Sequence, residues 1–171
     1  GMSPEFEDVR VVRNDGLQNI NTERRDNYIL DPEGFINLTQ DKRFRLYTDR
    51  SLQKDFEPLT EKDSAADFFA ERILVHETAA TVAAKYACSR PESLVITIAP
   101  QPDVRYMEGI NGRIPRIMEF INGPDVNKVT EEAVTTILLN PTAASTLSLT
   151  YRMRLEIGTS PEWWDVQTKI A

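Results

Sequence analysis

Residues 145–158, STLSLTYRMRLEIG, set the strongest constraint on this chain, because apolar and polar side chains alternate there without interruption. Leu147, Leu149, Tyr151, Met153, Leu155 and Ile157 fall on one face. Thr146, Ser148, Thr150, Arg152, Arg154 and Glu156 fall on the other. A period of two is that of a strand with one covered and one wet face, and a strand needs neighbours to satisfy its backbone. The pattern therefore predicts a sheet, and one wet face predicts an antiparallel one.

Shorter stretches read the same way. FEDVRVVR (6–13) is strand-like and stopped by Asn14-Asp15-Gly16. NYIL (27–30) meets GFINLT (34–39) across Asp31-Pro32-Glu33-Gly34, a turn in which Pro presets φ and Gly permits a positive one. RFRLYT (43–48) alternates, and the charged residues 49–63 form a connecting loop. SLVITIAP (93–100) is apolar almost throughout, as in a strand covered on both faces.

Two longer segments read as helices. One starts at Ser64, with Asp67 three residues on, runs to about Ala87 and ends before Ser89-Arg90-Pro91. Another opens at Pro124-Asp125, puts Val126, Val129, Ala133, Val134, Ile137 and Leu138 on one face, and stops at Asn140-Pro141. Between them, Ile-Asn-Gly occurs at 110–112 and at 121–123, read as two turns. An amphipathic segment, SPEWWDVQTKIA, follows Gly158. The expectation is a single α+β domain over residues 1–171. It has a mostly antiparallel sheet, two main helices packed on one side and a short C-terminal helix. Residues 1–63 supply its strand- and turn-rich part, and 64–171 a helix–strand–helix–strand part.

Charge narrows the partners. Residues 1–63 hold 14 acids and 10 bases and the rest 13 and 10, so a net charge of −7 is spread evenly. Such a surface repels nucleic acid and anionic membranes unless bases cluster locally. Arg10, Arg43, Arg45, Arg152 and Arg154 could share a sheet face, but acids are interleaved with them. No apolar run approaches a membrane span, and no basic segment followed by an apolar run suggests a secretory signal. One cysteine, Cys88, fits a reducing compartment, and a cytoplasmic location is expected.

Residues 74–82, LVHETAATV, begin like a zinc-protease signature. The second metal ligand of His-Glu-x-x-His must lie one helical turn on, and Ala80 stands there. His76 is also the only histidine, and Cys88 lies twelve residues along the same helix, roughly 18 Å away. No Gly-x-Ser-x-Gly elbow, Gly-x-Gly-x-x-Gly turn or Walker loop occurs. Neither a metal nor a cofactor is expected, and no residue is assigned as catalytic. Paired carboxylates need no local motif, and nothing raises Asp103, Glu108 or Glu119 above the other acids.

On a helical wheel, Phe68, Phe69, Ile73, Val75, Ala79, Ala80, Val82, Ala83 and Tyr86 form an apolar arc. Arg72 and His76 fall inside it, whereas Glu77, Thr78 and Thr81 fall on the polar side, where Glu77 is expected to meet solvent. Arg72 and His76 either pair structurally, Arg72 with a carboxylate, or bind an anionic group, with Tyr106 as a further lining residue. Ala79, Ala80, Ala83 and Ala87 thin one side of the helix for packing within the chain or between copies. Trp163 and Trp164 are adjacent, so both cannot face the core of a regular helix, and one is a candidate contact residue. The expected function is a non-enzymatic interaction or assembly protein, partnered by itself or by another protein. A phage or virion component fits that description, although no residue selects it. The alternative is a small-molecule binding protein or carboxylate-dependent enzyme with a pocket near Arg72, His76 and Tyr106.

Overall fold

The computed structural model describes residues 3–52, 56, 64–123 and 134–139, and for 50 and 51 the backbone alone. The helices in chain order are α1 (Phe6–Asp15), α2 (Thr22–Tyr28), α3 (Pro32–Gln40), α4 (Lys42–Tyr47), α5 (Ala65–Ser89), α6 (Gln101–Val104) and α7 (Ile110–Asn122). A 3-10 turn at Leu17–Asn19 and a wider turn at Thr48–Leu52 complete the regular structure. No strand occurs among the described residues, which overturns the α+β expectation with its mostly antiparallel sheet. Residues 145–158 and 159–171 lie outside the described residues.

The corrections share a cause: four to eight apolar residues fit a short helix as well as a short strand. In α1, Asp8 and Val12 are buried one turn apart, and Gly16 at φ 90° ends the helix where a strand turn was expected. The Asp31-Pro32 signal is helical rather than a hairpin turn. Asp31 Oδ1 accepts the Gly34 amide at 2.9 Å, and Pro32 stands at the first position of α3, where its missing N–H costs nothing. Asn21 caps α2 by accepting from the Glu23 and Arg24 amides, and Asp41 caps α4 by accepting from Arg43. In α4, the buried residues Phe44 and Tyr47 are three apart, a helical spacing.

α5 begins at Ser64, whose Oγ accepts the Asp67 amide at 3.1 Å. It is the central helix and is covered on more than one side. Leu74 and Ala70 pack with Val12, Ile20 and Ile29 of the N-terminal helices and turns. Ala79, Ala80 and Ala84 pack with Ile110 and Ile117 of α7. Residues 101–124, ambiguous in sequence apart from the two Ile-Asn-Gly turns, contain α7. The two Ile-Asn-Gly triplets mark its first turn and its end, where Gly123 adopts φ 81°. Pro115 sits inside it and cannot donate to Asn111 O, which is why the segment looked broken in sequence.

Residues 93–100 form no strand, and residues 134–139, expected to end a helix, are irregular. The chain divides into a unit Gly1–Ile137 and a second unit Leu138–Ala171, of which residues 138 and 139 are described. Among the described residues, no helix is long and apolar enough to cross a membrane.

Candidate functional site

The fully covered middle of α5, His76 to Thr81, carries four polar side chains. Each is held differently. Thr78 donates to the Leu74 carbonyl of its own helix, and Thr81 donates to the Tyr28 carbonyl at 3.0 Å, tying α5 to α2. Glu77, expected in solvent, is fully buried, because α7 covers the side of α5 that carries it. Its Oε2 accepts from Arg113 Nη1 at 2.8 Å and its Oε1 from Arg116 Nη2 at 2.5 Å. Arg113 is buried too, and it also donates to the Gly109 and Glu108 carbonyls. Arg116 reaches on to Asp31 Oδ2 at 2.6 Å, so one chain of ion pairs joins α5, α7 and the cap of α3. Burial pulls the Arg113 guanidinium below its usual pKa, and Glu77 opposes that shift most directly.

His76 is fully buried on the adjoining face. Its Nε2 lies 3.1 Å from Asp103 Oδ1, and its Nδ1 has no hydrogen-bond partner. Arg72 Nη2 donates to that same Asp103 oxygen, and the Arg72 side chain is 26% exposed. Burial pushes the His76 pKa down, against the raising influence of Asp103 and with help from Arg113 and Arg72. Tyr47 packs its ring 6.4 Å from His76 and 6.1 Å edge-on to Tyr106. Its hydroxyl has no hydrogen-bond partner, and burial, reinforced by Asp103, raises its pKa well above the ordinary tyrosine value.

Of the residues singled out in sequence, Arg72, His76 and Tyr106 thus gather into one cluster with Tyr47 and Asp103. Tyr47 had no sequence signal beyond its spacing from Phe44. Asp103 was indistinguishable from other acids because it comes from a four-residue helix. Ala79, Ala80 and Ala83 are buried within the chain, and Ala87 is half-buried. Trp163 and Trp164 lie outside the described residues. The arginines considered as a basic sheet face are not on a sheet: Arg10 is on α1, and Arg43 and Arg45 are on α4. An open cleft of about 320 Å³ lies elsewhere, between Leu17, Ile29, Pro32, Phe35 and Ile36. It does not coincide with the His76 cluster. Among the described residues, no three His, Cys, Asp or Glu side chains are grouped to hold a metal ion.

The second feature is apolar. Between Ser93 and Pro100 the exposure alternates as along an extended strand: Val95, Thr97 and Ala99 are half-buried, and Ala99 packs on the α5–α7 core. Leu94, Ile96 and Ile98 point outward and are 84%, 77% and 92% exposed. Ser93 to Pro100 contains no charged side chain. The expectation of a strand covered on both faces is therefore half wrong: one side rests on the protein and the other is bare.

The described fold and site define a helical protein with a buried ion-pair core and an uncovered apolar stripe. No protein-family model, no curated protein and no solved structure matches the chain.

Proposed function

We propose that this chain is a non-enzymatic assembly or interaction protein, acting through contacts with other protein rather than through chemistry on a substrate. The stripe of Leu94, Ile96 and Ile98 carries the reading. Isolated exposed apolar residues are ordinary, but three in register on one uncharged segment form a contiguous patch of the kind that marks contact sites. Covering a Leu or Ile side chain is worth roughly 1.5–3 kcal/mol each, so a partner seated there gains substantially. The stripe also tolerates an evenly acidic surface, because it brings no charge of its own to the contact.

The alternative, a small-molecule site near Arg72, His76 and Tyr106, is supported by the unpartnered Arg72 Nε, His76 Nδ1 and Tyr47 Oη. It is weaker because His76, Tyr47 and Tyr106 are buried, and the described cleft opens at the other helices.

Light scattering across micromolar concentrations tests the assembly reading. The mass should exceed that of a monomer, and Ile98→Asp should lower it while helical circular dichroism is unchanged. A mass indifferent to Ile98→Asp, together with no partner lost on that substitution, rejects the stripe as the contact.

A further inference from the structure

We infer that Asn122 is a site of spontaneous modification: the folded protein loses the Asn122 side-chain amide through the Asn122-Gly123 pair, whereas the identical Asn111-Gly112 pair is shielded by the fold. The product is an aspartate or isoaspartate at the end of α7, formed without enzyme or cofactor.

An Asn-Gly pair is open to this chemistry for a steric reason. The backbone nitrogen after an asparagine can attack the side-chain Cγ, and glycine, having no Cβ, leaves that nitrogen unhindered. The Gly123 N–Cγ bond forms and the Cγ–Nδ2 bond breaks. The Gly123 amide proton passes to solvent, the leaving nitrogen takes up a proton and departs as ammonia, and a five-membered succinimide remains. Water then opens the ring. Addition at Cγ gives aspartate, and addition at the Asn122 backbone carbonyl gives isoaspartate, with the chain routed through Cβ. One amide and one water have become one carboxylate and one ammonium.

The chain holds two Asn-Gly pairs, both within Ile-Asn-Gly and both on α7, so the triplet is the same and the setting differs. Asn111 is 6% exposed, and its Nδ2 donates to Thr136 Oγ1 at 3.0 Å and approaches Met107 Sδ at 3.5 Å. Gly112 lies within the helix, and a Cβ there would stand 1.8 Å from the Met107 carbonyl oxygen, so the backbone cannot reshape around a ring. Asn122 is exposed and is the last residue of α7. Gly123 has left the helix at φ 81°, and a Cβ on it would meet nothing within 4 Å. The Gly123 amide donates to Glu119 O at 3.0 Å, the terminal bond of the helix, where fraying is easiest. The Asn122 side chain hydrogen-bonds the Cys88 thiol of α5, a weak partner.

The change has a structural consequence. It sets a carboxylate at the negative end of the α7 dipole and removes the donor to Cys88, so the end of α7 is held less firmly on α5 as the molecule ages.

Incubating the full chain under native, mildly alkaline conditions, with isoelectric focusing and peptide mapping for isoaspartate, tests this. A more acidic species should accumulate, its modification should map to residue 122, and residue 111 should stay asparagine. In urea both pairs should react at similar rates, because the fold no longer separates them. Asn122→Gln, which would have to close a larger ring, should suppress the acidic species while helical circular dichroism is unchanged. If that variant fails to fold, the mapping of the wild type decides alone. Residue 122 intact in the folded chain but modified in urea would overturn the inference, as would equal rates at 111 and 122 in the folded chain. Residue 111 intact in urea as well would place the difference in the following Arg113 and Pro124 rather than in the fold, and would also overturn it.

Discussion

At the scale of single residues, Glu77 is the pivot. It is fully buried between two arginines, one of them fully buried as well. Removing one partner of such a pair leaves an uncompensated charge in a low-dielectric interior, which costs about 3–5 kcal/mol. Glu77→Gln keeps the volume and removes the charge, so the urea midpoint should fall by an amount corresponding to that range. Arg25→Gln, by contrast, removes a guanidinium whose contact with Asp26 is long and exposed, and should leave the midpoint unmoved. Equal midpoints for Glu77→Gln and wild type would mean that Arg116 and the Asp31 carboxylate rearrange to cover Arg113. The wheel put His76 inside and Glu77 outside because it assumed one buried arc. A central helix has several, so Glu77, Thr78 and Thr81 are buried while Val82 and Tyr86, placed within the arc, are exposed. Which polar residues go inside is decided by what α7 and α2 bring to meet them, and that is not written within α5.

At the scale of elements, punctuation was legible and the type of structure between the marks was not. Asn14-Asp15-Gly16, Asp31-Pro32 and Ser64 all fall at real boundaries. Caps and turns share the same residues, because both satisfy orphan amides with a short side-chain oxygen. Between the marks, helix and strand differ only in period, and α2, α3 and α4 are too short to display one clearly. The start of α5 was legible at Ser64 because twenty-five residues of helix follow it. α7 was hidden by Pro115 and by its two flanking Ile-Asn-Gly triplets. The cap of α3 gives a prediction against the usual sign. Gly→Ala inside a helix ordinarily stabilises by about 0.5–1 kcal/mol. At Gly34, however, a new Cβ would overlap Asp31 Oδ2 and lie 2.9 Å from Arg116 Cδ, where the cap and the ion-pair chain meet. Gly34→Ala should therefore lower the thermal midpoint. Asp31→Ala should lower it further than Ser64→Ala, because Asp31 serves Arg116 as well as the α3 amide. A stabilised Gly34→Ala would show that the Asp31–Arg116 contact is not held tightly.

At the scale of the whole molecule, His76 is the one imidazole in the chain, and replacing it isolates its share of the pH dependence of folding. His76 is buried beside Asp103 with its Nδ1 unpartnered, and its pKa in the folded protein is lowered from 6.5, chiefly by burial. The sign follows from proton counting. Above pH 6.5 the imidazole is neutral in both the folded and the unfolded chain, and stability is at its full value. As the pH falls through 6.5 the unfolded chain takes up a proton that the folded one resists, so unfolding is favoured, down to the lowered folded pKa. Asp103 works against this trend by stabilising the imidazolium, and Arg72 and Arg113 work with it. Denaturation midpoints should therefore decline as the pH falls below 6.5. His76→Phe should flatten that decline, since it fills the site without a titratable group. Midpoints that rise on acidification in this window would mean that Asp103 outweighs burial and that His76 is protonated in the folded protein. His76–Asp103 would then join Arg72–Asp103 as a second ion pair between α5 and α6.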